Sequence, residues 1–135
     1  MAPTTSSQES SLPVNIFLWI LQVLAALVFL SHARLLFMPD SAMARQMSYI
    51  GAMPAPLRVR AGAAEVLGAV GLVLPGLTRF LPVVTPLAAS GLVIVMLGAL
   101  VFHIQRREYP NLGLNAILLV LSAVIAYGRI ALAPL

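Results

Sequence analysis

Four long apolar runs dominate the chain, separated by short stretches that hold nearly all of its charge. The first runs from Val14 to Phe37 and meets no charge until Arg34, close to its end. The second spans about Leu57 to Leu74, with Pro56 suited to a first helical turn, where a missing N–H costs nothing. The third, Leu81 to about His103, carries Pro82 and Pro86 in its first turns, and the fourth covers about Leu112 to Leu132. A helix needs about 20 apolar residues to cross the hydrocarbon core of a bilayer, and each run is of that order. The pattern predicts an all-α membrane protein, an up-down bundle of four transmembrane helices in one domain over residues 14–135. Residues 1–13, which include a Ser/Thr-rich stretch, read as a disordered tail.

The connections are short. Pro75-Gly76 marks a turn after the second run, and Arg106 to Pro110 a turn after the third. Only the first connection, about residues 38–56, has room for structure of its own. There Met43, Met47, Tyr49 and Ile50 read as a short amphipathic segment on the membrane interface. The first run also contains Ser31-His32-Ala33, which resembles a signal-peptide cleavage site. However, no positive charge precedes the run, and it exceeds the roughly 7–15 residues of such a segment, so it reads as a retained helix.

Composition agrees with lipid as the solvent. The 135 residues are 61% hydrophobic and 9% charged, with a mean hydropathy of +1.01. An ordinary globular chain is about a quarter charged, because charge covers a water-facing surface. The net charge is +4 and every basic residue is an arginine. These arginines flank the apolar runs instead of clustering on a soluble face, which argues against nucleic acid as a partner. Arg34, Arg45, Arg58, Arg60, Arg106 and Arg107 belong to the first and third connections, and only Arg79 and Arg129 to the opposite side. The positive-inside rule then predicts cytoplasmic first and third loops, with both termini outside. No cysteine is present, so the chain alone can build neither a disulfide framework nor a thiol relay.

Gly62, Gly68 and Gly71 on the second run, and Ala89, Gly91 and Gly98 on the third, are candidates for close helix approach, which drives association in lipid. Placing polar residues by depth is more informative. His32 and Arg34 end the first run, Arg58, Arg60 and Glu65 begin the second, His103 ends the third, and Asn111 and Asn115 open the fourth. An up-down fold gathers all of these at one side of the membrane. The other half offers only Gln22, Thr85, Tyr127 and Arg129.

Glu65 is the leading candidate. It lies eight residues past Leu57, roughly 12 Å along a helix. A carboxylate at that depth costs several kcal/mol unless it is paired, protonated or wet. Arg58 shares its helix face, while Arg34, His103 and Asn115 could reach it from neighbouring helices. The competing reading is a polar clamp that fixes helix register. His32 and His103 could face each other across a haem or metal. The sequence has no His-x-x-x-His spacing and no carboxylate-rich ligand set, so neither haem nor metal is expected, and no intrinsic cofactor. Hydrogen bonding or proton handling suits both histidines better. Phe17, Trp19 and Tyr127 on one side, and Tyr49 and Tyr109 on the other, read as interfacial anchors.

Several of these residues also form a recognisable set. His32-Ala33-Arg34-Leu35-Leu36-Phe37, Glu65-Val66-Leu67-Gly68 followed by Gly71-Leu72, Thr85-Pro86-Leu87-Ala88-Ala89, His103 with Arg106-Arg107-Glu108, Asn115, and Tyr127-Gly128-Arg129 resemble the DoxX and DoxX-like membrane proteins. The likeness covers about residues 14–130. It implies a four-helix inner-membrane protein whose relatives include subunits of thiosulfate:quinone oxidoreductase and associates of redox or thiol-stress proteins. One departure stands out: relatives often end the first helix His-Gly-x-x-Lys-Leu, and here Ala33 and Leu36 replace the glycine and lysine.

Two functions follow as expectations. In the first, the protein is a redox-associated or quinone-interacting subunit, with a redox protein as partner. Glu65 and His103 then handle protons beside a pocket in the leaflet of the first and third loops, and His32, Arg34, Arg58 and Asn115 bind the ligand. In the second, it is a non-enzymatic scaffold or stress-protection partner whose polar cluster is structural. A small transporter fits less well, since no helix is interrupted mid-membrane and a pathway would require a homo-oligomer.

Overall fold

The computed structural model of the protein describes residues 5–135, with side-chain positions from residue 11 onward. Four long helices fold up and down: α1 (Thr5–Phe37), α4 (Ala55–Thr78), α5 (Val84–Gln105) and α6 (Pro110–Tyr127), the last continued by a π-turn over Gly128–Leu132. Two short helices, α2 (Ala42–Arg45) and α3 (Ser48–Ala52), fill the first connection. The segments long and apolar enough to cross a membrane are Ser11–Phe37, Ala55–Thr78, Val84–Gln105 and Pro110–Leu132. The described residues thus form the all-α four-helix bundle that the apolar runs predict.

Boundaries differ where proline is involved. Pro75 does not end the second span; it lies buried inside α4, which continues to Thr78 and stops at Arg79 in a left-handed conformation (φ 55°). In water proline would break the helix, but in hydrocarbon an unwound backbone costs more than one missing helix bond. The carbonyl that loses its i+4 donor to Pro75 is that of Gly71, and beside it the Gln22 amide of α1 donates to the Leu72 carbonyl. Pro82 stays in the turn, α5 begins at Val84, and Pro86 occupies the tolerated first turn. Pro110 likewise opens α6, two residues before the expected start. The expected tail is partly replaced by helix. Residues 1–4 lie outside the described residues, and from Thr5 onward the backbone is helical, since extending an existing helix adds a bond for each residue fixed.

The close approaches on α4 are real. A Cβ at Gly68 would come within 2.5 Å of the Leu92 side chain, and one at Gly71 within 2.6 Å of the Ala88 Cβ. Gly91 and Gly98, by contrast, face open space, so on α5 it is the buried Ala89 that meets its neighbours. The centre of the bundle is apolar, built on Ala25, Phe29, Leu72, Leu92, Met96 and Ile125. The first connection also departs from expectation. Met43 is exposed, but Tyr49 and Ile50 turn inward and pack with Leu36 and Ala44 as a second apolar cluster. Ser41 starts this segment by capping α2, its hydroxyl accepting from the Ala44 N–H at 3.2 Å.

Candidate functional site

Polar groups occupy two layers, one above and one below the apolar centre. At the loop end, the last turns of helix α1 carry His32, whose Nδ1 lies 2.9 and 2.8 Å from the two Glu65 oxygens on α4. Its Nε2 lies 2.9 Å from the hydroxyl of Tyr49 on α3. Glu65 is 2% exposed and Tyr49 is buried, while His32 is partly exposed. Burial, then the charges of Glu65 and Glu108, push the Tyr49 phenol up to about 12, so it keeps its hydrogen at neutral pH. That hydrogen has two acceptors within reach, His32 Nε2 and, at 3.4 Å, Met47 Sδ. With the hydroxyl donating to His32, Nδ1 carries the ring hydrogen and donates to Glu65. With the hydroxyl donating to Met47, Nε2 donates to the phenol oxygen. The second arrangement holds one proton more than the first, on Nδ1 or on Glu65, so uptake of a proton redirects each bond without moving a heavy atom.

A second histidine–carboxylate pair stands on the other side of Tyr49. The His103 ring meets the Tyr49 ring edge-on, 4.9 Å between centroids, and its Nδ1 lies 2.8 Å from Glu108 Oε2. Arg106 Nε donates to the other Glu108 oxygen at 2.9 Å. Partial burial raises the Glu108 carboxyl, but the hydrogen bonds and charges of His103 and Arg106 outweigh it and hold the group below the usual carboxylate range. Glu108 is therefore ionised at neutral pH and can only accept, so His103 carries its hydrogen on Nδ1. Its Nε2 has no hydrogen-bond partner among the described residues. The same is true of Arg58 Nε, Thr85 Oγ1, Ser122 Oγ and Arg129 Nη2, but those atoms are sealed from open space and His103 Nε2 is not.

The space beside it is a cavity of about 510 Å³ bounded by all four long helices and by Tyr49. Its walls are mainly aliphatic, with His32, Glu65, His103, Arg60, Asn111 and Asn115 as the polar exceptions. It reaches the outer wall of the bundle, where Ile94 (70% exposed) and Leu114 (57%) line it. Among the candidates from sequence, Glu65, His103, His32 and Asn115 share this cavity; Arg34 and Arg58 do not line it. Arg34 is exposed, and Arg58 reaches back to the Met53 carbonyl at 3.5 Å instead of to Glu65. The Asn115 amide donates to its own helix, to the Asn111 carbonyl at 3.0 Å.

Tyr49 and Glu108 escaped sequence reasoning as site residues. An aromatic near a helix end looks like an interfacial anchor until its hydroxyl is seen bonded, and Glu108 next to two arginines looks like loop solvation. Among the described residues no three His, Cys, Asp or Glu side chains converge as a metal site.

The opposite layer is more developed than its sequence suggests. Arg129 is 2% exposed and projects inward from the π-turn. Its Nε donates to Gln22 Oε1 at 2.5 Å, and one Nη donates to Asn15 Oδ1 at 2.6 Å and the Ala133 carbonyl at 2.9 Å. The Trp19 ring lies beneath the guanidinium, 5.5 Å to its centroid. Arg129 is thus an internal cation held by neutral acceptors, and Trp19 is its support as well as a membrane-surface aromatic.

Four apolar spans, buried polar layers and an aliphatic exterior define a multi-pass integral membrane protein in contact with lipid. More narrowly, residues 20–125 match the model of the DoxX-like family, and the chain belongs to that family. No curated protein and no solved structure matches it.

Proposed function

We propose that this DoxX-like protein holds a quinone-class ligand in the loop-side cavity and serves as a redox-associated membrane subunit. One observation carries the reading: His103, a buried imidazole oriented through Nδ1 by a carboxylate and with no hydrogen-bond partner on Nε2 among the described residues, lines an apolar cavity that reaches the lipid-facing wall. Quinones are apolar rings with two oxygens at fixed separation, and they dissolve in the bilayer. A greasy cleft with a few fixed hydrogen-bonding groups suits them. In this reading His103 exchanges a proton with the ligand oxygen and Glu108 passes it towards the loop face, while the His32–Glu65 pair stores a second proton. In this reading that face is cytoplasmic, which the positive-inside count supports. With no cysteine in the chain, any sulfur chemistry belongs to a partner.

Gentle extraction into nanodiscs, followed by mass spectrometry of bound small molecules, tests the proposal. Quinone is expected in stoichiometric amount with the wild type and depleted with His103→Ala. Equal quinone in both samples and in an unrelated four-helix control would sink it. A second reading, a scaffold with a structural polar clamp, draws on the closed chain from Tyr49 through His32 to Glu65, which ties α3, α1 and α4 together. In that case Glu65→Gln and His103→Ala lower thermal stability and leave membrane redox activity unchanged.

A further inference from the structure

The tautomer of His103 carries a consequence for the ligand. Arg106 and His103 both donate to Glu108, one to each oxygen. With Nδ1 donating to Glu108, the ring in its neutral form presents a lone pair at Nε2. A lone pair facing a carbonyl oxygen is repelled, whereas a hydroxyl satisfies it. The nearest other polar groups add acceptor character. Glu65, whose oxygens lie against His32, has lone pairs to spare, and Asn115 commits one of its two amide N–H groups to the Asn111 carbonyl. The guanidinium of Arg60, exposed at the rim, and the remaining amide N–H groups of Asn111 and Asn115 are the contrary donors. We infer that the cavity prefers an aromatic hydroxyl donor, in the quinone series the hydroquinone over the quinone, with the hydroxyl donating to His103 Nε2. This rests on the quinone-class reading of the cavity and goes further by assigning the redox form it holds.

Glu108→Gln gives a sharp test. The Arg106 donor fixes the amide oxygen of the new side chain on its own side, which turns the NH2 group towards His103 Nδ1. Nδ1 must then accept, the hydrogen moves to Nε2, and the ring offers the cavity a donor where it offered an acceptor. The substitution keeps size and shape, and it inverts the hydrogen-bond polarity at an atom it does not touch.

The experiment compares equilibrium binding of a decyl-substituted para-benzoquinone and its reduced hydroquinone, under anaerobic conditions near neutral pH, to the full chain in nanodiscs. The wild type is expected to bind the hydroquinone at least roughly tenfold more tightly, the effect of one mismatched hydrogen bond. Glu108→Gln shifts the ratio of the two affinities towards the quinone by a similar factor, and His103→Phe brings it close to one. Thermal unfolding run alongside identifies a misfolded variant, and the wild-type and His103→Phe ratios still decide the matter if Glu108→Gln proves to be one. A wild type that binds both forms equally, or favours the quinone, overturns the inference and leaves the cavity reading intact. Failure to bind either form overturns both. A ratio in well-folded Glu108→Gln unchanged from wild type removes the tautomer as the cause.

Discussion

The two polar layers solve the same problem, charged groups inside a membrane protein, in opposite ways. At the termini side a single arginine is wrapped by neutral acceptors from α1 and the last turn, and its remaining nitrogen is sealed from open space. Its bonds to Gln22 and Asn15 tie the last turn to α1. At the loop side, histidines and carboxylates come in pairs, Tyr49 stands between them, and one ring nitrogen is left open to a cavity. Imidazoles and carboxylates can pass a proton along a hydrogen bond, and a guanidinium, always charged, cannot. An apolar layer that includes Phe29, Leu72, Leu92 and Met96 lies between them. Buried polarity is therefore not one signal: who the partners are, and whether an atom is left accessible, separates a fastening from a candidate site.

The largest expected effect tests the fastening. Arg129→Ala removes three hydrogen bonds and leaves Gln22 and Asn15 short of a donor, and should lower unfolding free energy by about 3 kcal/mol. Quinone-class binding should stay at the wild-type level once the protein is folded. Denaturant titration in detergent, with binding measured alongside, checks both, and a parallel loss of affinity would erase the distinction between the layers. Tyr49→Phe is milder: it deletes the hydroxyl that meets His32, for about 1 kcal/mol on the scale of hydrogen bonds within membrane proteins. It should also alter the protonation of His32, visible in its ring chemical shifts, whereas Arg129→Ala leaves those shifts unchanged.

The smallest effect is in pH. The Glu108 carboxyl lies below its ordinary 4.5 in the folded protein, so its stabilisation is complete above that value and is lost as pH falls through the lower, folded one. Melting temperature followed from about pH 6 to about pH 3 should therefore show a small acid-side decline that Glu108→Gln lacks. An identical decline in both proteins would assign the acid response to other groups.

Most of the fold is legible in the sequence because hydrocarbon imposes one rule, that the backbone satisfy itself, and four apolar runs leave few ways to obey it. The exception at Pro75 has the same cause: proline is read as a turn on rules for water, and the membrane changes what it costs to unwind. Glu65 stands out because it is the lone acid in its run. Its partner does not: helix arithmetic puts Arg58 on its face and neighbouring helices offer Arg34, His103 and Asn115, yet the contact made is with His32, 33 residues away. Arg129 was hidden in plain view, since an arginine near the end of a span carries the same sequence signature whether it marks topology or bridges helices. Tyr49 was hidden by the length of the first connection, which gives no register for α3.

The guanidinium of Arg129 also sets the mechanics of the bundle. It ties the first helix to the end of the last, and through Gln22 to the carbonyl of Leu72, at the extremity remote from the cavity. A bundle pinned there behaves like a pair of tongs: the pinned end holds its spacing, and the free ends carry the travel. In the proposed function, a loosening of the helices that admits a ligand from the bilayer would be a tilt about Arg129, widest beside Tyr49 and the two histidines.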